Sequence, residues 1–125
     1  MPSKELGILG EKIAENYLKK KGYKILDKNY SFRIFGPQKG EIDIIAEKDK
    51  TICFVEVKTL SSDKIINPEQ KVDYLKQRKI IKTAQSWLMK NKIPFDSPWQ
   101  IDVVAIKIDL KNKKARIRHL KNAVF

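Results

Sequence analysis

Two stretches rich in β-branched and aromatic residues, separated by a pair of polar residues, restrict the middle of this chain to a β-hairpin. Glu41 to Glu47 and Thr51 to Thr59 have strand composition, and Asp49-Lys50 between them suits a short turn. Because side chains alternate along a strand, a turn centred on Asp49-Lys50 predicts which residues face each other. One face is then apolar and consists of the pairs Ile42–Val57, Ile44–Val55 and Ala46–Cys53.

The other face of the predicted hairpin carries charge. It places Glu41 opposite Lys58 and Asp43 opposite Glu56. Directly opposed residues have Cβ atoms roughly 4.5–5.5 Å apart, close enough for the two acids to share one ion. Opposed like charges destabilise a sheet, and a divalent cation removes that penalty. Oxygen ligands and a single histidine predict Mg²⁺ or Mn²⁺ rather than zinc or copper. The alternative is a solvated face whose acids pair with Lys and Arg from elsewhere.

The order of motifs along the chain resembles a known group of nucleases. Asp43 followed by Glu56-Val57-Lys58 at the end of a strand is similar to the signature of the PD-(D/E)XK superfamily, which includes restriction endonucleases and Holliday junction resolvases. The complete order resembles the small bacterial YraN family over nearly the whole chain. The matching segments are GxxGExxAxxYL (Gly7 to Leu18), GEID (Gly40 to Asp43), FVEVK (Phe54 to Lys58), VxxxK (Val72 to Lys76), the strand Ile101 to Val104, and Asn122-Ala123.

This resemblance implies a restriction-endonuclease-like fold, a single domain over residues 1–125, and metal-dependent hydrolysis of phosphodiester bonds in nucleic acid. DNA is favoured over RNA, and branched and linear DNA are both open as substrates. It implies that Asp43 and Glu56 hold the metal, with the Val57 carbonyl as a further ligand. Lys58 would orient or deprotonate the attacking water, or stabilise the transition state. Glu41 would hold Lys58 in position or join the metal ligands.

A non-catalytic nucleic-acid-binding or scaffold module with the same fold is the competing hypothesis. The YraN pattern carries arginines where this chain has Leu60 and Gln100, which favours the non-catalytic module. The complete set of Asp43, Glu56 and Lys58 favours the enzyme. Because resolvase relatives need two sites, activity within a homodimer is also compatible with the sequence.

The N-terminal segment, Lys4 to Lys21, has apolar residues at helical spacing, and Gly22 suits the end of that helix. On a helical wheel Glu11 falls at the edge of the apolar stripe, where it can lean over the hairpin. Glu11 also matches the position of a first-helix glutamate that supplements the metal site in related resolvases. The alternative for Glu11 is an ordinary surface acid.

Basic residues before and after the hairpin are predicted to contact nucleic acid. Tyr23 to Leu26 and Tyr30 to Phe35 predict one bent or interrupted strand that leads to a turn-rich loop at Gly36 to Gly40. Arg33 precedes this loop and Lys39 lies in it. A second helix is predicted from Asn67-Pro68 to about Asn91. Its Lys76 projects from the apolar stripe, so it either reaches the acids or a phosphate, or extends its amine into water.

The C-terminal part of the chain predicts two strands, Trp99 to Ile108 and Ala115 to Leu120. The last strand is basic, and Arg116 and Arg118 are the residues expected to follow a nucleic-acid backbone. A solubilising edge strand would have the same composition. The resulting order of helix, three strands, helix and two strands predicts an α/β fold with a mixed sheet flanked by helices.

Composition agrees with these expectations. A net charge of +12 predicts a polyanionic partner, and nucleic acid fits best. The alternative is that the basic composition reflects genome bias or growth at high temperature. No apolar run approaches the roughly 20 residues of a membrane span, and the N-terminus lacks a signal-peptide core, so a cytoplasmic protein is expected. The single cysteine, Cys53, excludes an internal disulfide and is expected in the core. The single histidine, His119, is expected at the surface or on a phosphate.

Overall fold

A computed structural model describes residues 3–61 and 74–123 of the chain. These residues form two helices and five strands in the predicted order. Their bounds are α1 Ser3–Lys20, β1 Lys24–Phe35, β2 Gln38–Lys48, β3 Thr51–Ser61, α2 Tyr74–Lys90, β4 Trp99–Asp109 and β5 Lys114–Leu120. The predicted helix start at Asn67-Pro68, and Val72 of the VxxxK motif, lie outside the described residues. Neither described helix is long and apolar enough to cross a membrane.

The five strands form one mixed sheet in the order β1-β2-β3-β4-β5. Strands β3 and β4 are parallel, and the other neighbours are antiparallel. Parallel neighbours need a crossover connection, and here α2 lies in that connection. This arrangement confirms the predicted α/β class with a mixed sheet flanked by helices.

Each face of the sheet has its own apolar core. Ala14 and Leu18 of α1 pack against Ile44, Val55 and Val104 on one face. On the other face the apolar side of α2 covers a second cluster, whose largest members are Ile42, Ile45, Phe54, Trp87, Leu88 and Ile101. Cys53 is buried in the α1 core as expected, and burial followed by the charge of Asp102 raises its pKa to about 12. The Cys53 thiol is therefore a packing residue.

The predicted register of the central hairpin is confirmed near its turn. Ile44 pairs with Val55 and Ala46 pairs with Cys53. Asp49 and Lys50 both have positive φ, 52° and 64°, as a two-residue hairpin turn with matching twist requires. The β2–β3 ladder ends at the pair Ile44–Val55. Three pairs predicted beyond this point are therefore not ladder pairs: Ile42–Val57, Asp43–Glu56 and Glu41–Lys58.

Side-chain alternation in β2 is interrupted at Asp43. Ile42 packs in the core under α2, whereas Ile44 packs in the core under α1, although the two residues are two apart in one strand. The prediction that Ile42 shares a face with Ile44 is therefore wrong. Asn29 of β1 lies between the two positions paired with Ile42 and Ile44, and its φ is 52°. A left-handed residue opposite Asp43 re-aims the backbone there, as irregularities in strands commonly do.

The segment before the hairpin is one bent strand, as one of the two predicted alternatives had it, with register shifts between Ile25 and Asp27 and between Arg33 and Phe35. Strand β1 runs without a break from Lys24 to Phe35, and β2 already begins at Gln38. The predicted loop at Gly36 to Gly40 is thus only a tight turn, because β1 supplies ladder partners for Lys39 and Gly40. Gly40 is required there, since a Cβ atom would collide with Thr83 of α2 and come within 3.1 Å of the Lys79 carbonyl oxygen.

Two glycines of α1 should respond oppositely to alanine. A Cβ at Gly10 would collide with the Thr59 side chain of β3, whereas a Cβ at Gly7 would meet no atom within 4 Å. We expect Gly10→Ala to lower the free energy of unfolding by about 1–3 kcal/mol through overpacking. Gly7→Ala should raise it by about 0.5–1 kcal/mol, because alanine favours the helix. Urea unfolding of the two variants measures both effects, and equal signs would contradict the close packing of α1 on β3.

Candidate functional site

The candidate site lies where β2 and β3 separate beyond the pair Ile44–Val55. At this point the backbone N–H of Val57 donates a hydrogen bond to Asp43 Oδ2, with an N···O distance of 2.7 Å. A carboxylate thus replaces the next ladder acceptor and is fixed between the two strands. The charge of Glu56 acts on Asp43, so the two acids are neighbours, but they are not the directly opposed cross-strand pair that was predicted.

Asp43 is in an unfavourable environment for a negative charge. Burial raises its pKa to about 7, and the nearby charge of Glu56 adds to the increase. Glu11 raises it further, while the hydrogen bond from Val57 and the charge of Lys76 act in the opposite direction. Buried carboxylates with a nearby like charge are typical of functional sites, because stability alone does not favour them.

Replacing Asp43 with asparagine should stabilise the metal-free protein at alkaline pH. A carboxyl group with a raised pKa contributes stability that is complete below its unfolded pKa of about 3.9 and is lost as pH rises through about 7. At pH 8 Asp43→Asn should therefore raise the free energy of unfolding by about 1–3 kcal/mol. This gain is smaller than the free energy that corresponds to the whole pKa shift, because burying the asparagine amide also costs free energy.

The gain from Asp43→Asn should disappear near pH 4, where the wild-type carboxyl group is also neutral. Thermal unfolding in EDTA at the two pH values measures the difference. The exposed Asp96→Asn variant is the control and should behave like the wild type at both. A variant that is less stable than the wild type at pH 8 would show that the charge of Asp43 is well compensated.

Glu56 and two lysines form the opposite side of the site. Lys76 Nζ of α2 lies 3.1 Å from Glu56 Oε1, so the lysine reaches the predicted acids. Lys58 is adjacent to Lys76, and burial together with the hydrogen bond and charge of Lys76 lowers the pKa of Lys58. Two lysines in contact repel each other, and this repulsion disfavours the charged form of Lys58.

Glu11 approaches the site from α1, as the helical wheel predicted. It is half-buried, and burial, followed by the charges of Glu41 and Glu56, raises its pKa. Glu15, one turn later, instead forms ion pairs of 2.8 Å with Lys19 and 3.0 Å with Lys28. Glu11 therefore lies beside other acids, whereas the charge of Glu15 is compensated by two lysines.

Glu41 has a different neighbour from the one predicted. It was expected to face Lys58, but the recorded β2–β3 ladder ends before Glu41. Its carboxylate lies 3.2 Å from Lys39 Nζ at the exposed end of the β1–β2 hairpin. Arg33 is the ladder partner of Lys39 and is also exposed, so both predicted basic contacts lie beside the turn.

Two recesses open at the site, one on each side of the sheet. A recess of about 530 Å³ is lined by Asp43 together with Glu11, Lys12 and Lys28. A second recess, of about 540 Å³, is lined by Glu56 together with Lys39, Lys76 and Lys79. The acids are thus reached from both faces, and lysines border each opening. Lys79 was not singled out in the sequence, because only the packing of α2 on Gly40 brings it to this recess.

The sheet register connects the site with the basic C-terminal strand. Lys58 of β3 pairs with Ala105 of β4, which pairs with Arg118 of β5. Two strand spacings separate Lys58 from Arg118 by about 10 Å. The next row on the same face consists of Leu60, Lys107 and Arg116. The predicted Arg116 and Arg118 therefore share a sheet face with Lys58, and Lys107 joins them at a position that only the parallel pairing of β3 and β4 identifies.

The donor set suits a hard divalent cation. Asp43, Glu56 and Glu11 offer carboxylate oxygens, the ligands that Mg²⁺ and Mn²⁺ prefer. The negative charge that the three acids share is under-compensated at Asp43, whose pKa is raised. Within residues 3–61 and 74–123, however, no three Asp, Glu, His or Cys side chains converge as a preformed metal site would require.

The expected surface position of His119 is wrong. Its side chain is 5% exposed, and Nε2 lies 2.8 Å from Oδ2 of the fully buried Asp102. His119 Nδ1 lies 3.0 Å from the Tyr17 hydroxyl of α1. Asp102 also accepts hydrogen bonds from Gln100 Nε2 and the Asn122 N–H. This buried network holds β4, β5 and α1 together, away from the acidic site.

The fold and site define a small mixed α/β protein with carboxylates and lysines gathered where a central hairpin opens. The chain belongs to the uncharacterised protein family UPF0102, whose sequence profile matches residues 10–106. This membership confirms the resemblance to the YraN family.

Similarity to members of this family extends over almost the full chain. The protein is 45% identical over 121 residues to a UPF0102 protein of Alkaliphilus oremlandii, covering 97% of this chain and 98% of that protein. It is 43% identical over 123 residues to a UPF0102 protein of Clostridioides difficile, with coverage of 98% and 99%. A UPF0102 protein of Caldanaerobacter subterraneus subsp. tengcongensis is 40% identical over 121 residues, with coverage of 96% and 94%.

Proposed function

We propose that this protein is a metal-dependent nuclease of the PD-(D/E)XK superfamily that hydrolyses phosphodiester bonds of DNA, branched DNA included. One observation carries the proposal. Glu11, Asp43 and Glu56, from three different elements, lie within electrostatic range of one another beside Lys58, where β2 and β3 separate. An arrangement that raises the pKa of one carboxyl and lowers that of a neighbouring lysine costs stability, which supports a chemical role.

Asp43 and Glu56 are the proposed holders of Mg²⁺ or Mn²⁺, with Glu11 and the Val57 carbonyl as further ligands. A bound divalent ion would polarise the scissile phosphate and favour deprotonation of the attacking water. The hydrogen bond from Val57 N–H fixes the orientation of the Asp43 carboxylate before any ion binds. Lys76, which contacts Glu56, holds that carboxylate and supplies positive charge for the incoming phosphate.

Lys58 is the proposed catalytic lysine. It lies on the same strand and the same face as Glu56, two residues further along β3. Its ammonium group is placed to orient the attacking water or to stabilise the negative charge of the transition state. The rows containing Lys107, Arg116 and Arg118 then provide contacts to the phosphates that flank the reacting one.

The experiment that tests the proposal is cleavage of labelled single-stranded, duplex, flap and four-way-junction DNA, with RNA as a further substrate. Each substrate is incubated in Mg²⁺, in Mn²⁺ and in EDTA. The wild type should cut in either metal but not in EDTA, and Glu56→Gln should lower the rate by at least about 100-fold. Glu5→Gln, an exposed glutamate in the first turn of α1, is the control and should retain activity.

A non-catalytic nucleic-acid-binding module is the second candidate, favoured by the ion pair between Lys76 and Glu56. That pair gives the Glu56 carboxylate a structural partner at 3.1 Å. Binding of DNA without cutting in any metal, together with unchanged binding by Glu56→Gln, would support this module and overturn the nuclease. Cutting that persists in Glu56→Gln would place the chemistry at other residues.

A further inference from the structure

An apolar groove outside the candidate site lies between β1 and the C-terminal half of α2. It has a volume of about 470 Å³. Phe32 and Ile34 of β1 form one wall, and Met89 of α2 and Phe95 of the following turn form the other. Phe32, Met89 and Phe95 are 40%, 68% and 46% exposed, so large apolar side chains face solvent together. A cluster of this kind marks an interaction surface, since isolated proteins seldom group such residues.

The groove lies next to the recess that contains Glu56, since Phe32 of the groove is the ladder partner of Gly40, which lines the recess. Lys76 and Lys79 line that recess, and Lys82, Gln85 and Met89 line the groove one to three turns further along α2. At about 1.5 Å per residue, Lys76 and Met89 are about 20 Å apart along the helix. A ligand strand that enters at Glu56 and follows α2 therefore passes directly into the groove.

The charges around the groove restrict its occupant. Lys82 and Lys90 are exposed at its rim, and none of the described residues that line it is acidic. A second copy of this chain docked symmetrically would bring these lysines close to their own counterparts, which is unfavourable. An anionic ligand with flat apolar groups complements both the lysines and the exposed rings.

We propose that this groove binds an unpaired segment of a DNA strand, with bases stacked on Phe32 and Phe95 and phosphates contacting Lys82 and Lys90. The inference rests on the proposed nuclease function and deepens it. The substrate is DNA that has unpaired nucleotides next to the cleavage point, and the groove receives the strand as it leaves the recess at Glu56. Duplex DNA, whose bases are already stacked and paired, does not use the groove.

The test is equilibrium binding in EDTA, where no cleavage complicates the measurement. Fluorescence anisotropy compares labelled oligo-dT with a blunt duplex of equal length, for the wild type, Phe32→Ala and Phe95→Ala. Each variant should weaken oligo-dT binding at least about fivefold, while duplex binding changes by less than about twofold. Phe95→Tyr should bind oligo-dT like the wild type because it retains an aromatic ring. Leu110→Ala, which truncates a 45% exposed side chain in the turn after β4, is the control and should bind like the wild type.

A second readout locates the bases directly. Oligonucleotides that contain iodouracil should form photocrosslinks to Phe32 or Phe95. Mass spectrometry of the digested protein identifies the crosslinked residue. Crosslinks at these rings together with the selective binding loss would support the groove as a single-strand site.

Four outcomes would overturn the groove proposal. Unchanged oligo-dT binding by both phenylalanine variants would do so while leaving the nuclease intact, provided that metal-dependent cutting is still lost in Glu56→Gln. Equal loss of duplex and oligo-dT binding would show a general DNA contact. A change of oligomeric state in Phe32→Ala or Phe95→Ala, measured by light scattering, or selective binding of acidic peptides by the wild type, would assign the groove to a protein partner.

Discussion

Replacing Lys58 with methionine is expected to reduce DNA cleavage by about 10²- to 10⁴-fold, the usual range for loss of a group that moves or stabilises a proton in the transition state. Methionine keeps the long apolar stem, which is packed in the half-buried site, and removes only the ammonium group. Lys58 contacts Lys76, and removing one of two adjacent positive charges relieves repulsion. The variant should therefore be at least as stable as the wild type, so lost activity would not reflect lost folding.

Single-turnover cleavage, DNA affinity in EDTA and thermal unfolding separate these effects. Lys58→Met should lose the cleavage rate while affinity changes by less than about tenfold, because many other basic residues contact phosphates. Lys24→Met, at the exposed start of β1, removes the same charge far from Glu56 and should cut normally. Wild-type rates in Lys58→Met would exclude this lysine from the chemistry, whatever the outcome for Glu56→Gln.

Replacing Asp102 with alanine is expected to lower the free energy of unfolding by about 3–5 kcal/mol, a large part of the stability of a small domain. Asp102 is fully buried and accepts hydrogen bonds from His119, Gln100 and the Asn122 N–H. Its removal leaves three donors without their acceptor and opens a cavity between β4 and β5. Tyr17→Phe, at the other end of the network, should cost about 1 kcal/mol.

The Asp102 network also predicts how stability responds to acid. Burial by itself raises the pKa of Asp102, but the hydrogen bonds from His119, Asn122 and Gln100 more than offset this and hold the pKa below its ordinary value. The stability it contributes is therefore complete above about pH 4, the unfolded pKa, and is lost as pH falls through the folded pKa. Urea unfolding between pH 7 and pH 3 should show a larger loss of stability in the wild type than in Asp102→Ala.

Asp109→Asn provides the matched control on the same strand. Asp109 is near the exposed end of β4 and accepts hydrogen bonds from Lys111 and Asn112 in the adjacent turn. Asp109→Asn should therefore lower the free energy of unfolding far less than Asp102→Ala does at neutral pH. A similar loss in both variants would show that strand β4 tolerates no acid replacement, and that the buried network has no special role.

Features set by local periodicity could be predicted from the sequence. The register from Ile44–Val55 to the turn follows from the period of two and the two polar turn residues. Glu11 could be assigned to the edge of α1 from the helical period alone. The prediction that Glu41 faces Lys58 was wrong. It assumed that side-chain alternation continues through Asp43, but Asn29 in the neighbouring strand adopts a positive φ there.

The sequence by itself determined the elements, their order, and the presence of acids and lysines at the open end of the hairpin, since each depends on residues that are close in the chain. Only the tertiary structure decided the partners of these residues. The parallel pairing of β3 with β4 joins segments separated by a helix, and it alone places Lys107 and Arg118 in line with Leu60 and Lys58. Burial of His119 likewise depends on contacts among α1, β4 and β5. The sequence of β5 alone does not indicate which elements pack against it.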